Sequence, residues 1–324
     1  MPGIIGAGYG QARGKEVGGS SSIGTGQITY GFGSEASEGT NRASMGPAQA
    51  MELRELRLLT YLSPGLPLAL FGVVADHLRR CPDLSGRRIA LDSEERASGP
   101  TRALVDGSED PFSRGDADVA FLCAPTYLRL REREQPPAEL LGVAPVFADE
   151  RTHGNPVYFC DVIVSRASSA RSFWELKGGT WAYNDPCSLS GHGGLAAKLG
   201  SPEKAGRFFG RTIRSGSHPA SVRLVADGRA DVASIDSNVL SILLEQTPSL
   251  GEEVRVLESW GPYPLQPVVV RADLDPALKV ALRESLLRTE DDPLTQPKLE
   301  EFGLKRFVAV GEEDYDVGQL PRQY

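Results

Sequence analysis

The chain has few cysteines, and those it has lie far apart. Its 324 residues include only four, Cys81, Cys123, Cys160 and Cys187, and no two of them form a C-x-x-C pair. A disulfide framework is typical of small secreted domains, and a zinc site needs ligands at closer spacing. We therefore expect free thiols, and we predict neither a metal ion nor a cofactor.

Long apolar runs and clusters of positive charge are also missing. No uninterrupted apolar run approaches the roughly 20 residues that a membrane-spanning helix needs. The formal net charge is −8, and no block of Lys and Arg would form a nucleic-acid surface. We therefore expect no membrane span and no nucleic-acid partner. The overall charge does not exclude an anionic ligand, because hydrogen bonds act at short range where long-range charge is screened.

The first fifty residues differ in composition from the rest. They are rich in Gly, Ser, Ala and Thr and show no hydrophobic periodicity, so we predict a disordered leader over residues 1–50. The pattern of a charged start, an apolar core and a small-residue cleavage site is absent, so the chain as written carries no secretory signal. We accordingly expect a cytoplasmic protein. A periplasmic or cell-surface location is the alternative if the N-terminus is misassigned.

From residue 51 onward, segments typical of strands alternate with segments typical of helices. We predict strands at residues 56–62, 88–91, 117–122, 158–164, 180–183, 211–215, 230–235, 254–258 and 266–271, and helices at residues 68–80, 191–199, 219–227, 239–245, 276–288 and 294–302. This alternation predicts an α/β fold with parallel sheets and with ligand sites at the carboxyl ends of the strands. Two such units imply two lobes joined by a double crossing. Lobe 1 would comprise residues 51–160 plus 262–324, lobe 2 residues 161–261, and the ligand cleft would lie between them.

The most informative segment runs from Trp181 to His192 and reads WAYNDPCSLSGH. An apolar and aromatic strand meets Asp-Pro, then two hydroxyls and a glycine, and an Ala- and Leu-rich helix follows. This order places hydroxyls and free backbone N–H groups at the positive end of a helix dipole, which binds anions without a lysine. An ordinary helix N-cap is the alternative interpretation of the serines. The segment predicts a small, phosphate-like anion held in a cleft.

Three segments, in this order, resemble motifs of one known family. They are DVAFLCAPTY at residues 118–127, LKGGTWAYNDPCSLSG at residues 176–191 and SGSHPASVRLVADGRADVASID at residues 215–236, and the tail DYD at residues 314–316 also fits. The chain resembles the phosphate/phosphite/phosphonate-type substrate-binding proteins of ABC transporters. The resemblance implies a two-lobed type 2 periplasmic-binding-protein-like fold with a ligand cleft between the lobes. It also implies a protein that captures a small phosphorus oxyanion without catalysis, with an ABC permease as its partner.

The same resemblance assigns roles to particular side chains. The candidate ligand-binding residues are Tyr61, Tyr127, Ser188, Ser190, Gly191, His218 and Asp236. The serines and the N–H groups around the glycine would hold the oxygens of the anion, and the tyrosines would reach in from the other lobe. The histidine would donate a hydrogen bond and the aspartate would accept one. Structural roles as caps or packing contacts remain open for His218, Tyr127 and Asp236.

A carboxylate beside an anion needs a physical reason. A protonated oxygen of phosphate, phosphite or a phosphonate is a donor whose hydrogen bond Asp236 can accept, whereas fully ionised sulfate offers no donor. We therefore predict that Asp236 selects phosphorus oxyanions over sulfate. A helix N-cap formed by Asp236 is the structural alternative.

The chain departs from the family pattern at several positions. Leu189 stands where the family usually has a hydroxyl, Cys123 replaces a glycine, and Cys160 and Cys187 occupy or adjoin polar positions. These less polar residues predict an altered ligand, such as an organophosphonate or another small anion with an apolar part. A soft-metal site formed by these three cysteines with His218 is an alternative.

An enzyme on the same fold, acting on a small phosphorylated or pyrimidine-type metabolite, is the other class of function. The sequence shows no evident nucleophile–base pair, no paired carboxylates with an obvious spacing and no metal signature. His192 and His218 are the only plausible bases near the predicted site. We therefore expect no catalysis. Nothing in the sequence indicates an obligate oligomer, so we expect a monomer.

Overall fold

The computed structural model describes residues 55–93 and 110–316, so the predicted disordered leader at residues 1–50 lies outside the described residues. The described strands are β1 (Glu55–Thr60), β2 (Arg88–Ser93), β3 (Val119–Phe121), β4 (Ala138–Leu140), β5 (Val143–Phe147), β6 (Val157–Ser165), β7 (Thr180–Tyr183), β8 (Arg211–Arg214), β9 (Val232–Asp236), β10 (Val254–Pro264), β11 (Val268–Arg271) and β12 (Leu304–Ala309). The described α-helices are α1 (Leu68–Arg80), α2 (Ala124–Arg131), α3 (Gly194–Leu199), α4 (Pro202–Phe208), α5 (His218–Ala226), α6 (Ser237–Gln246), α7 (Leu250–Glu253), α8 (Pro276–Leu287) and α9 (Gln296–Glu300). The α/β class predicted from the alternation is confirmed.

Most of these strands form two five-stranded sheets. The first has the order β2-β1-β3-β11-β4 and the second the order β10-β6-β9-β7-β8, while β12 pairs with β5. In the first sheet β1 is parallel to β2 and β3, but β11 is antiparallel to β3 and β4. In the second, β7 is parallel to β8 and β9, but β6 is antiparallel to β9 and β10. The expectation of parallel sheets is therefore wrong in part, because the strands next to the crossings between the sheets run against their neighbours.

Helix α1 illustrates how the periodicity produces these elements. Leu70, Phe71, Val74 and Leu78 follow a helical spacing and are all buried, which is the stripe expected for a helix that packs against a sheet. The helix ends at Arg80, and Pro82 follows closely, where a proline cannot continue the helical hydrogen bonding. The predicted span, residues 68–80, matches the observed helix.

Several elements differ from the predicted ones. Strand β10 continues to Pro264, well beyond the predicted end at residue 258, and its register with β6 shifts twice. These irregularities interrupt the alternation of buried and exposed residues from which a strand is predicted. The short strands β4, β5 and β12 and the helices α2 and α4 were not predicted. The predicted helix at residues 294–302 is shorter, since α9 spans only Gln296–Glu300.

The chain passes between the two sheets twice. It leaves the first sheet before β6 and returns after β10, and β6 pairs with strands of the second sheet along most of its length. The predicted lobe boundary at residue 160 therefore lies inside β6. Apolar residues of both sheets, including Leu58, Phe121, Ile163 and Ile235, belong to one buried cluster. No helix among the described residues combines the length and the apolar character needed to cross a bilayer.

Candidate ligand-binding site

A small cavity lies between the two five-stranded sheets. The first sheet contributes the turn after β1, Tyr61–Leu66, and Cys123 after β3. The second sheet contributes residues at or after its strand ends, which are Asn184, Asp185, Ser188, Leu189, Ser190, Gly216, Ser217, His218 and Asp236. The carboxyl ends of β1, β3, β7, β8 and β9 thus meet at one place, where α/β folds bind their ligands. The volume of about 70 Å³ is well below the roughly 300–1,000 Å³ of drug-sized pockets.

Three helical segments begin at this cavity. They are a wide turn (Leu189–Gly193) that continues into α3, then α5, then α6. The residue before each segment caps it, since Ser188 Oγ, Ser217 Oγ and Asp236 Oδ1 accept backbone N–H groups of the first turn at 3.0, 3.2 and 2.9 Å. The positive ends of three helix dipoles therefore point toward one small space, which is favourable for an anion.

The segment that the sequence singled out, residues 181–192, forms one wall of this cavity. Ser188 both caps the wide turn and lines the cavity, so a cap role does not take this serine away from the cavity. The N–H of Gly191 is the group that Ser188 accepts, and Gly191 itself does not line the cavity. A Cβ at position 191 would lie 1.7 Å from Asn184 Oδ1, closer than any real contact. Glycine is required here because the Asn184 amide packs directly against the turn.

His218 and Ser190 form a buried pair. Ser190 Oγ lies 3.0 Å from His218 Nε2, and both side chains line the cavity. His218 Nδ1 is buried and has no hydrogen-bond partner among the described residues. Burial lowers the pKa of His218 to about 4, so its imidazole is neutral at pH 7 and carries a single N–H. When that proton is on Nδ1, Nε2 accepts from the Ser190 hydroxyl and Nδ1 has a hydrogen bond to donate.

Asp236 ends β9, caps α6 and lines the cavity with a buried carboxyl group. Its Oδ1 accepts the N–H of Asn238, and its Oδ2 accepts from Gln266 Nε2 at 2.6 Å. Burial raises the pKa of Asp236 to about 6, although these hydrogen bonds act in the opposite direction. The N-cap role and a place at the cavity therefore coexist in this residue.

Hydrogen-bonding groups, not cations, surround this space. Among the described residues that line the cavity there is no lysine and no arginine. Asp185 is buried, and Arg214 donates a hydrogen bond to it, so its charge is compensated within the protein. Burial raises the pKa of Asp185. An anion in this cavity would be held by hydroxyls, an imidazole and the starts of helices.

The two candidate tyrosines lie in different places. Tyr61 lines the cavity from the first sheet. Tyr127 does not line it; its ring is fully buried in an apolar cluster that also contains Tyr61 and Tyr315, with 5.9 Å between the ring centres of Tyr127 and Tyr315. The Tyr127 hydroxyl donates to Glu312, and burial raises its pKa above the usual range. The structure thus brings together Tyr61, Ser188, Ser190, His218 and Asp236, but not Tyr127.

Other lining residues were not anticipated from the sequence. They include Ser63, Tyr158, Asn184, Asp185, Ser217, Val239 and Gln266. Their position in the sequence could have indicated them, because several of them follow the carboxyl end of a strand, where α/β folds place their ligand sites. Gln266 lies on the second crossing between the sheets, and no local motif marks it. Only its contact with Asp236 identifies it.

The cysteines do not converge on the cavity. Cys123 and Leu189 line it, as the departures from the family pattern suggested. Cys160 is buried behind α3, where a Cβ on Gly194 would lie 2.9 Å from its Sγ, and Cys187 does not line the cavity. Burial raises the pKa of Cys123 to about 12, which disfavours the thiolate that binds metals. Within the described residues no group of three or more His, Cys, Asp or Glu could hold a metal ion.

Comparison with known proteins gives consistent matches. A family model described as ABC transporter, phosphonate, periplasmic substrate-binding protein matches residues 106–315. A binding protein component of an ABC phosphonate transporter from Pseudomonas aeruginosa is 17% identical, with a TM-score of 0.67, and covers 82% of this chain and 84% of its own. PhnD1 from Prochlorococcus marinus, solved in complex with methylphosphonate, is 16% identical, with a TM-score of 0.64, and covers 81% and 95%.

A third structure, XAC2383 from Xanthomonas citri bound to chloride ion, is 20% identical. It covers 80% of this chain and 93% of its own, with a TM-score of 0.58. At these identities the likeness to solved structures establishes the fold. The predicted two-lobed, periplasmic-binding-protein-like fold is confirmed.

Proposed function

Because the chain belongs to the family of periplasmic substrate-binding proteins of phosphonate ABC transporters, we propose that its cavity captures a small phosphorus oxyanion. The observation that carries this proposal is the convergence of three capped helix starts on a cavity without lysine or arginine among the described residues. Backbone N–H groups and hydroxyls at helix starts hold phosphate-like anions without a cation.

Membership in this family also corrects one expectation and confirms another. The expectation of a cytoplasmic protein is wrong, because the family's members are periplasmic substrate-binding proteins. The family is a substrate-binding component of transport and not a family of enzymes, so the expectation of no catalysis is confirmed and the enzyme alternative is not favoured. Such a component implies a small ligand and a permease partner.

The hydrogen-bond donors for the anion would come from Ser188 and from the pair of Ser190 and His218. Ser188 offers a hydroxyl at the start of the wide turn, and the pair of Ser190 and His218 offers one further donor, because the hydrogen bond between Ser190 and the neutral ring uses one of their two protons. Tyr61 faces them from the first sheet. Gly191 supports the turn through its bond to Ser188, and Tyr127 is committed to Glu312. In this proposal Gly191 and Tyr127 support the walls of the site without touching the ligand.

Asp236 would supply the selectivity. Gln266 and the first turn of α6 hold its carboxylate in place at the cavity. A protonated phosphorus oxyanion can donate to this carboxylate, whereas sulfate places an oxygen without a proton beside it and is repelled. Leu189 and Cys123 add apolar surface to the same cavity. The preferred ligand would therefore be small, singly protonated and partly apolar, as methylphosphonate is.

Capture would involve the two lobes closing on the ligand. The lining residues come from both sheets, which are joined by two chain crossings, so a ligand that bridges them favours the closed arrangement. We propose two lobes close to the predicted division into residues 51–160 plus 262–324 and residues 161–261. One boundary moves to the start of β6 and the other to the end of β10, because both strands pair within the second sheet. A monomer suffices for this function.

Thermal unfolding of the full chain tests the proposed ligand. Methylphosphonate, phosphite, phosphate and sulfate are added at increasing concentration. A ligand at about 100 times its Kd stabilises the folded state by roughly 2.7 kcal/mol, which raises the Tm of a domain this large by about 5–10 °C. We expect a shift with at least one phosphorus oxyanion and none with sulfate.

Three variants extend this experiment, and one of them is a control. Ser190→Ala should abolish most of the ligand-induced shift, because it removes a hydroxyl from the cavity. Ser201→Ala removes a serine that caps α4, which begins away from the cavity, and should leave the ligand-induced shift intact. Asp236→Asn should allow sulfate to bind. Absence of a shift with all four anions would contradict the proposal.

A further inference from the structure

Gln266 meets the ligand cavity from the second crossing between the sheets. It lies between β10 and β11, is half-buried and lines the cavity. The preceding Leu265 is fully buried, and its N–H donates to the carbonyl oxygen of Pro156, on the first crossing, at 3.0 Å. Pro267 follows and restricts the backbone of the residue before it. The two crossings together therefore fix the position from which Gln266 reaches Asp236.

The contact between these two side chains has a defined polarity. Gln266 Nε2 donates to Asp236 Oδ2 at 2.6 Å. An ionised carboxylate has no proton to give, so the NH₂ group of the amide, and not its oxygen, must face it. Asp236 Oδ1 accepts the backbone N–H groups of Asn238 and Val239 at 2.9 and 3.4 Å. A carboxylate offers about four acceptor positions, so one position on Oδ2 is left for a donor in the cavity.

The amide of Gln266 favours the ionised form of Asp236. Burial raises the pKa of Asp236 to about 6, and the hydrogen bond from Gln266 acts against that rise. While the carboxyl group is ionised, its remaining position can only accept, so a bound anion must bring the proton. Once the carboxyl group is protonated, the same position can donate to an anion that has no proton, such as sulfate. The choice between the two classes of anion therefore depends on which form is stabilised.

Other ionisable groups surround Asp236 on the elements that pack against it. The first sheet contributes Tyr61 and Cys123, and the second contributes Tyr158, Cys160 and Asp161 of β6, Asp185 after β7 and His218 of α5. Burial raises the pKa of both cysteines and of Tyr158, and it lowers the pKa of His218 to about 4, so these four groups are neutral at pH 7. Asp161 and Asp185 are each paired with an arginine. Asp236 differs from both, because the groups that bond its oxygens among the described residues are amide N–H groups and not cations.

We propose that Gln266 is a positioning residue that acts through Asp236 and sets the choice of the site between protonated and unprotonated anions. This inference rests on the proposed capture of a phosphorus oxyanion and adds the residue that tunes its selectivity. With Gln266 in place, Asp236 accepts from the protonated oxygen of methylphosphonate and repels sulfate. Without Gln266, the proton stays on Asp236 to higher pH, and the same carboxyl oxygen donates to sulfate.

Titration calorimetry of the full chain between pH 5 and pH 8 tests this role. The Kd values for methylphosphonate and for sulfate are measured in the parent protein and in Gln266→Met, whose side chain has a similar length but no donor. We expect the parent to exclude sulfate as pH rises through about 6. In Gln266→Met this transition should move up by about one pH unit, because a hydrogen bond to a charged group is lost. At pH 7 the ratio of the sulfate Kd to the methylphosphonate Kd should fall about tenfold.

Three further variants complete the experiment. Gln296→Met is the matched control, because Gln296 Nε2 donates to the carbonyl oxygen of Lys305 at 2.7 Å, away from the cavity, and it should change neither Kd. Gln266→Asn keeps the amide but withdraws it from Asp236 by one methylene, and it should show the same upward transition if Gln266→Met is too unstable to measure. Adding Gln266→Met to Asp236→Asn should not change the discrimination further, as expected for a residue that acts through Asp236.

A purely structural role for Gln266 gives a different result. It would weaken both anions equally and leave the transition at the same pH, and that outcome would overturn the proposal. A further change in discrimination when Gln266→Met is added to Asp236→Asn would overturn it as well. If the parent binds none of the anions, the proposed function fails and this inference fails with it. Anion binding by the parent, with unchanged discrimination in both Gln266 variants, refutes the role of Gln266 alone.

Discussion

Asp236 caps α6 with one carboxylate oxygen and receives Gln266 on the other, while facing the cavity. At the scale of residues, single side chains therefore both support the fold and line the cavity. Ser188 does the same at the wide turn. Because the same atoms support the fold and the cavity, a substitution there needs a matched control that separates loss of stability from loss of affinity.

The pKa of Asp236 predicts how stability depends on pH. The folded-state pKa of about 6 lies above the ordinary value of 3.8, so the folded protein holds this proton more tightly than the unfolded chain. The stabilisation that comes from this tighter proton binding is complete below about pH 4 and is lost as pH rises through 6. Asparagine also caps helices but does not ionise. Asp236→Asn should therefore gain stability relative to the parent between pH 4 and pH 8, by about 3 kcal/mol.

Urea unfolding of Asp236→Asn and of the parent protein, at pH 4 and at pH 8, measures this difference in unfolding free energy. His218, whose pKa is lowered to about 4, has the opposite dependence and loses its contribution as pH falls from 6.5 toward 4. It is present in both proteins, so its effect cancels in the comparison. A stability difference that does not change with pH would mean that ionising Asp236 costs the folded state nothing.

Gly191 should not tolerate a side chain. In Gly191→Ala the new methyl group would overlap Asn184 Oδ1, so the amide or the turn must move. We expect a loss of about 1–3 kcal/mol in unfolding free energy and a loss of anion affinity. Gly72→Ala in α1 is the matched control. Its Cβ meets nothing within 4 Å, and helical Gly→Ala should stabilise the protein by about 0.5–1 kcal/mol. Equal effects of the two substitutions would argue against close packing at position 191.

At the scale of elements, the cavity is defined by where helices begin. The wide turn, α5 and α6 each start next to it and each carry a side-chain cap from the preceding residue. In each case a strand leads into the helical segment at its carboxyl end. Three neighbouring units, each made of a strand, a cap and a helical segment, therefore bring three helix N-termini to one cavity, which is an arrangement favourable for an anion.

Ser217 tests this arrangement. Ser217→Ala removes the cap of α5, whose bond to the Ala220 N–H is 3.2 Å long, and also removes a hydroxyl from the cavity. Ser201→Ala removes the equivalent cap of α4, bonded to the Lys204 N–H at 3.2 Å, away from the cavity. Both should lose about 1 kcal/mol of stability. Only Ser217→Ala should weaken anion binding, by about three- to tenfold in calorimetric titration. Equal affinity in the two variants would exclude a part for Ser217 in binding.

At the scale of the whole molecule, the two sheets are joined by two crossings and share a buried apolar cluster. Anion binding between them should shift the protein toward a closed form. We expect small-angle X-ray scattering to give a smaller radius of gyration with saturating methylphosphonate than without it. Ser190→Ala at the same methylphosphonate concentration should show no decrease. An unchanged radius in the parent protein, with binding confirmed by calorimetry, would mean that the lobes do not move.

Much of this protein was determined by its sequence. The span of α1, the strand β7 and the presence of α5 and α6 follow from periodicity and capping, which act over a few neighbouring residues. The helix predicted from residue 191 instead begins as the wide turn Leu189–Gly193 and continues into α3. The fold class follows from the alternation of such elements, and the family could be recognised because three segments resemble its motifs. The weakly patterned strands β4 and β12 and the irregular end of β10 could not, because their pairing partners rather than their own residues define them.

Only the tertiary structure decided which side chains line the cavity. Tyr127 is taken out of the site by Glu312, which lies 185 positions away in the sequence. Gln266 enters the site through Asp236, 30 positions away. The pKa values of Asp236 and His218 depend on burial produced by packing of distant segments. Local sequence sets where helices and strands begin and end, but contacts across the fold set which groups are buried, paired or left to meet an anion.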